Sequence, residues 1–226
     1  MRKYTVGLIR VLTVQDKELL NTHGKIIEKA FPELKIVSKC IENQPKGIYD
    51  EKTEEEAKPK ILRLVKELED TGVNAIIISC AADPAVDEAR KLVSIPVIGA
   101  GSAASALSLA YGRKVGVLNL TEGTPRVIKE TLGNKLVAED HPNGVTNTLD
   151  LMTDWGKQEV IKAAKRLKEK GVDVIALGCT GMSTIMIAPI LEEEVGVPLI
   201  DPVIASGAVT IHALRRLSAW RDDDED

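Results

Sequence analysis

The sequence predicts an α/β fold of two pseudo-symmetric lobes, each a parallel sheet flanked by helices, with the functional cleft between the lobes. Three observations carry that expectation. Short β-branched runs alternate with amphipathic helical stretches, the order of these runs repeats, and two cysteines occupy matching points of the repeat. At 226 residues the chain can bury roughly 70% of its unfolded surface, as one large domain or as two small lobes. Hydrophobic residues make up 44% and charged residues 28%, the mixture of a soluble globular protein rather than a disordered or membrane chain.

Tyr4 to Leu12 reads as the first strand, and Asp16 as the cap of a helix that runs to about Ala30, ahead of Phe31-Pro32. Leu34 to Ile41 reads as the next strand. Thr53 with Glu56 three residues on has the form of a capping box, opening a helix to about Asp70. Val73 to Ser79 is a continuous apolar run, as expected of a strand covered on both faces.

The second half follows the same order. Val6-Gly7-Leu8-Ile9 matches Val115-Gly116-Val117-Leu118, and Glu42-Asn43-Gln44-Pro45-Lys46-Gly47-Ile48 matches Glu139-Asp140-His141-Pro142-Asn143-Gly144-Val145. Gly72-Val73-Asn74-Ala75-Ile76-Ile77 matches Gly171-Val172-Asp173-Val174-Ile175-Ala176, and Ile95-Pro96-Val97-Ile98 matches Val197-Pro198-Leu199-Ile200. The offsets are 109, 97, 99 and 102 residues, drifting only where loops differ. Cys80 and Cys179 are offset by 99, like the strands that precede them. Ligands of open parallel sheets bind beyond the carboxyl ends of the strands. Two facing lobes therefore bring both thiols to one cleft.

Composition narrows the chemistry. Three cysteines, Cys40, Cys80 and Cys179, do not suggest a disulfide framework, and their spacing fits no zinc motif. His23, His141 and His212 are scattered without the i, i+4 pairing of a helical metal site, so no metal is expected and neutral surface or core roles are assigned to all three. Formal net charge is −4, concentrated in the tail Asp222-Asp223-Asp224-Glu225-Asp226, which reads as a solvated end; no basic surface for nucleic acid is visible. No apolar run reaches the roughly 18 to 20 residues that span a bilayer. Met1-Arg2-Lys3-Tyr4 leads straight into the first strand without the form of a signal peptide, which predicts a cytoplasmic protein.

Cys80-Ala81-Ala82-Asp83-Pro84 sets a thiol at a strand end, with Asp83 as a helix cap and Pro84 at the first helical position. Gly178-Cys179-Thr180-Gly181-Met182 sets the other thiol among glycines that let backbone amides approach a ligand. A helix start lowers a thiol pKa from about 8.5, and its free amides can hold an oxyanion. Such a pair suits proton removal from a carbon beside a carbonyl. A single buried cysteine is more often an inert core residue, and that reading applies to Cys40.

These segments resemble the aspartate/glutamate/hydantoin racemase family, over nearly the whole chain. Cys80-Ala81-Ala82-Asp83-Pro84, Gly178-Cys179-Thr180-Gly181-Met182 and Val97-Ile98-Gly99 are similar to its hydantoin racemase branch; glutamate racemases are less similar, because Thr180 is followed here by Gly181 rather than His. The resemblance implies a cofactor-independent racemase of 5-substituted hydantoins, with Cys80 and Cys179 as two-base catalysts. It also implies a small-molecule substrate without nucleic-acid or membrane partners, and it leaves homo-oligomerisation open. By the same resemblance the last helix returns to the first lobe, giving residues 1–99 with 203–226 as one lobe, including Pro202 to Trp220 as the returning stretch, and 100–202 as the other. Ala81, Thr180 and Gly181 become substrate contacts.

One segment departs from the family. Where hydantoin racemases end the first strand in Asn-Pro-Asn, this chain has Arg10-Val11-Leu12-Thr13. Arg10 either meets a substrate carboxylate or joins a salt bridge, and Thr13 shares its candidate position. Asn119, Thr121 and Thr124 are either polar substrate contacts or turn and cap residues, and Asp201 either a substrate contact or a helix cap. Alternatives to the hydantoin reading are an aspartate- or glutamate-type amino-acid racemase, a cysteine-dependent decarboxylase and a cis-trans isomerase. A nicotinamide enzyme is suggested by Gly99-Ala100-Gly101-Ser102-Ala103-Ala104 with Glu122 as the ribose ligand, and a non-catalytic small-ligand binding protein by the two lobes.

Overall fold

The computed structural model describes residues 4–216. The amino-terminal Met1-Arg2-Lys3, the acidic tail and Trp220 lie outside the described residues. Chain order is β1 (Tyr4–Arg10), α1 (Lys17–Ala30), β2 (Leu34–Cys40), α2 (Glu51–Asp70), β3 (Ala75–Ser79), α3 (Val86–Leu92), β4 (Val97–Gly99) and α4 (Ala100–Tyr111). The second half continues with β5 (Val115–Leu118), α5 (Arg126–Leu132), β6 (Leu136–Asp140), α6 (Asp154–Glu169), β7 (Val174–Leu177), α7 (Thr180–Thr184), α8 (Ala188–Val195), β8 (Leu199–Ile200) and α9 (Pro202–Arg215).

Among the described residues, eight strands form two four-stranded parallel sheets, ordered β2-β1-β3-β4 and β6-β5-β7-β8. The two orders are the same once each strand is replaced by its repeat partner, so the sequence repeat is a repeat of topology. It extends to backbone conformation: Gly47 and Gly144 both take φ +74°, and Gly72 and Gly171 take +80° and +74°. Only glycine enters that region without strain.

One core lies between the sheets, where Leu8 and Ile77 of the first meet Ala104, Val117 and Ala176 through α1, α4, α5 and α9. A second core backs the first sheet with α2 and α3, and a third backs the second sheet with α6 and α8. The central strands are covered on both faces, so β3 and β7 are buried throughout and read as unbroken apolar runs.

Two caps differ from expectation. Helix α2 begins at Glu51, two residues before Thr53: Asp50 is its N-cap and Thr53 the reciprocating third residue, so the capping box is Asp50 with Thr53 rather than Thr53 with Glu56. Asp83 does not cap the helix that follows it, because α3 starts only at Val86, behind left-handed Asp83 and Ala85. Its carboxylate instead crosses to the neighbouring unit and accepts the amides of Gly101 (2.6 Å) and Ser102 (2.8 Å) at the start of α4. Asp16 caps α1 and Asp201 caps α9 as helix-start chemistry predicts.

That crossing explains the glycine-rich segment. A Cβ on Gly99 would fall on the Asp83 carboxylate, and one on Gly101 on the carbonyl oxygen of Ala81. The small residues let the Cys80 turn lie directly on the start of α4. The amides that a dinucleotide phosphate would need are held by Asp83, which overturns the nicotinamide reading of this segment. Gly101→Ala meets fixed backbone rather than a movable side chain, so a loss of stability of about 1–3 kcal/mol is expected in urea titration.

Candidate active site

A cleft of about 930 Å³ opens at the carboxyl ends of the central strands and is lined from both halves of the chain. Cys80 follows β3 directly; Cys179 follows β7 after Gly178. Both are half-buried free thiols in the cleft lining. Their settings are not equivalent. Cys179 is the N-cap of the short helix α7, and its Sγ accepts the amide of Gly181 at 3.3 Å. Cys80 sits in a turn closed by the Asp83 amide on the Cys80 carbonyl at 3.1 Å, five residues before the N-cap of α3.

The expected lowering of the thiol pKa values is not what this environment produces. Burial pushes Cys80 up to about 12; the Ala82 amide opposes this, while the negative forms of Cys179, Asp83 and Glu54 add to it. Burial also raises Cys179, against the amides of Gly181 and Met182 and the positive charge of Arg10. Desolvation outweighs the helix-start effect at both sulfurs, and Cys179 carries the stronger support for a thiolate.

Arg10, at the end of β1, is 4% exposed and lines the cleft. It forms no salt bridge among the described residues. Its Nη1 donates to the Leu19 carbonyl (2.9 Å) and its Nη2 makes a long contact with Thr184 Oγ1 (3.4 Å). Burial lowers its pKa to about 10, with Cys40 and Cys179 opposing the shift. Beside it, fully buried His23 joins Ser79 Oγ through Nδ1 and Thr184 Oγ1 through Nε2, each at 2.8 Å. Burial, and then the Arg10 charge, hold His23 well below the ordinary imidazole range, so it is neutral. Thr180 Oγ1 donates to the Ser79 carbonyl at 3.3 Å. This chain of contacts stitches the segment before Cys80 to the helix after Cys179.

Of the residues expected at the site, Arg10, Cys80, Ala81, Asn119, Thr121, Thr124, Cys179, Thr180 and Gly181 all line the cleft. Thr13 does not: its hydroxyl donates to the Ile41 carbonyl (3.0 Å) and accepts the Gln44 amide (2.7 Å), closing the loop after β1. Asp201 is spent on its cap and on the Ser183 hydroxyl, outside the cleft lining. Asn119 Nδ2 donates to Thr124 Oγ1 at 2.8 Å. Sequence reasoning missed Ser79, His23 and Thr184. Ser79 adjoins Cys80 and Thr184 lies one turn after Thr180, but His23 shows only as a polar residue on the buried side of α1, four residues before Ile27. Cys40 keeps to a structural place, its Sγ against the Val14 backbone.

A duplicated, doubly wound α/β protein with a thiol from each half in one cleft is the class that fold and site define. The chain belongs to the Asp/Glu/Hydantoin racemase family, whose profile matches residues 23–208. A hydantoin racemase of Rhizobium meliloti is 31% identical over 156 residues, 66% of this chain and 63% of that protein. The match thus spans less than two thirds of that relative's length. Among solved structures, allantoin racemase from Klebsiella pneumoniae superposes with a TM-score of 0.82 at 23% identity, covering 96% of this chain and 89% of that one. A glutamate racemase from Bacillus anthracis gives 0.72 at 17% identity, covering 99% and 85%. At these identities the structures show a shared fold.

Alkylation should report the unequal thiols. At neutral pH both react slowly, Cys179 ahead of Cys80, and the Cys80 rate keeps rising towards pH 12, as read by mass spectrometry of the labelled peptides. The folded chain keeps these protons where an unfolded thiol, near 9.0, releases them. The Cys80 contribution to stability is therefore complete below pH 9 and is lost as pH rises towards 12.

Proposed function

We propose that this chain is a cofactor-independent racemase of a 5-substituted hydantoin or a closely related amino-acid derivative, with Cys80 and Cys179 as its acid and base. The observation that carries this reading is the meeting of two thiols, one from each sheet, at equivalent strand ends on one cleft. The hydantoin and glutamate racemases among its relatives support it. In this reading the first lobe is residues 1–99 with the chain from 203 onward and the second is 100–202, with α9 packed between them on α4 of the second lobe and on α1 and β3 of the first.

One sulfur, as thiolate, takes the proton from the stereogenic carbon, forming an S–H bond and leaving an enolate. The other, as thiol, gives its proton to the opposite face and becomes the thiolate. The stereocentre is inverted and the proton count of the pair is unchanged; the opposite enantiomer needs the opposite charge state. A hydantoin C5 proton is more acidic than the α-proton of an amino-acid carboxylate, which suits weakly activated thiols. Desolvation, with the charges of Cys179, Asp83 and Glu54 adding to it, keeps Cys80 protonated, while the Gly181 and Met182 amides and Arg10 make Cys179 the more readily ionised of the two sulfurs. The two sulfurs titrate as a coupled pair, with macroscopic rather than individual values. Ala81, Thr121, Thr124, Thr180 and Gly181 are the proposed substrate contacts around them.

Cys80→Ser and Cys179→Ser are each expected to lower racemisation by about 10² or more. The measurement is loss of optical rotation together with α-deuterium incorporation from deuterated water, over 5-substituted hydantoins, aspartate and glutamate. Near-normal rates in both variants would sink the two-cysteine assignment; exchange with free amino acids alone would move the substrate class away from hydantoins.

A further inference from the structure

Behind the cleft lining sits a buried titratable side chain that the two-thiol reaction does not use. His23, from the middle of α1, is 0% exposed and is not part of the cleft wall. An imidazole in a dry interior is unfavourable unless its nitrogens are met. Both are met, Nδ1 by Ser79 Oγ and Nε2 by Thr184 Oγ1, each at 2.8 Å. The two partners are not arbitrary. Ser79 closes β3 and directly precedes Cys80, while Thr184 closes α7, the helix that Cys179 caps. One ring thus spans the two thiol-bearing segments, which follow strands of different sheets.

Helix α7 has only five residues, far short of the length at which a helix holds itself together. Its own half anchors it through Met182, in the core behind the second sheet, and through Ser183, whose hydroxyl donates to Asp201 at 2.9 Å. The other half holds it through three contacts: His23 with Thr184 at 2.8 Å, Arg10 Nη2 with Thr184 at 3.4 Å, and Thr180 Oγ1 with the Ser79 carbonyl at 3.3 Å. Hydrogen bonds weaken as they lengthen beyond about 3.2 Å, so the imidazole is the firm member of the set. A neutral imidazole presents one donor and one acceptor, and each hydroxyl can play either part. Either tautomer therefore satisfies both bonds, and the tie persists whichever sulfur holds the proton.

We propose that His23 is a positioning residue for the two sulfurs: by holding Ser79 and Thr184 together it fixes the separation of Cys80 and Cys179 across the cleft. This rests on the racemase reading and extends it to a residue that does not touch substrate. Proton removal needs one well-placed thiolate. Inversion needs more, because the second sulfur must deliver its proton to the opposite face of the same carbon before the first returns what it took. A misplacement of about 1 Å costs on the order of 10²-fold in such a step. Loss of the tie therefore harms inversion more than removal, and the waiting enolate is reprotonated on the face it came from. In that return the S–H bond just formed breaks again and the C–H bond is restored, with deuterium in place of hydrogen where the S–H has exchanged with deuterated solvent.

The test uses His23→Leu, which removes both bonds, with His23→Asn and His23→Gln, whose carboxamides reach the places of Nδ1 and Nε2 respectively and keep one bond each. Racemisation of 5-substituted hydantoins in deuterated water is followed by chiral chromatography with mass spectrometry, which separates deuterium in the recovered starting enantiomer from deuterium in the product. His23→Leu should lower kcat by about tenfold or more with KM little changed, and raise the ratio of exchange with retention to inversion by a similar factor. Partial unfolding would lower both rates together and leave that ratio alone. Ser79→Ala and Thr184→Val should be non-additive in kcat, and additive in the His23→Leu background. An unchanged ratio in His23→Leu overturns the inference. A second readout needs no substrate: alkylation rates by peptide mass spectrometry, with Cys40, held at the Val14 backbone, as the internal reference. Both Cys80 and Cys179 should change rate in His23→Leu, Cys80 alone in His23→Gln and Cys179 alone in His23→Asn. Unaltered rates at both sulfurs overturn the inference, whereas altered rates in a protein that racemises none of the compounds overturn the racemase reading alone.

Discussion

The geometry of the cleft depends on one crossing contact, the Asp83 carboxylate on the first amides of α4. It ties the turn that carries Cys80 to the helix leading into the second sheet, and it does so at the cost of two left-handed residues, Asp83 and Ala85. Burial raises the Asp83 pKa, while the hydrogen bonds from Ser102 and Gly101 favour its charged form. Gly99 leaves room for the carboxylate, and Gly101 for the Ala81 carbonyl. A residue that helix-cap statistics assign to its own helix works here between two units of the fold.

The polar floor of the cleft has a second kind of tie. Ser79, His23, Thr184 and Thr180 link the end of β3 to α7, with the imidazole neutral and both its nitrogens engaged. Each cysteine is thereby attached to a segment bonded to the other half. Their chemical environments still diverge, because Asp83 and Glu54 act on one sulfur, and Arg10 with the Gly181 amide on the other.

Much of this was legible beforehand, for identifiable reasons. Continuous apolar runs gave away β3 and β7, since strands covered on both faces have no polar alternation to confuse with a helix. The internal repeat located both cysteines at equivalent strand ends. What escaped was long-range: the Asp83 cap spans 18 residues and the His23 contacts span 56 and 161, and no local spacing rule reaches that far. Thr13 was misplaced because a hydroxyl near a strand end looks the same whether it faces a ligand or closes its own loop. The thiol pKa values were misjudged because a sequence displays helix starts but not desolvation.

Duplication within one chain has a consequence that assembly from two identical lobes would forbid. A symmetric dimer must place the same side chain at the end of both first strands: two guanidiniums, whose charges would repel, or two carboxamides, with no charge at all. Covalent fusion frees the positions to differ. The cleft keeps the pseudo-symmetric placement of its thiols while the two strand ends beside them, Arg10 and Asn119, differ in charge.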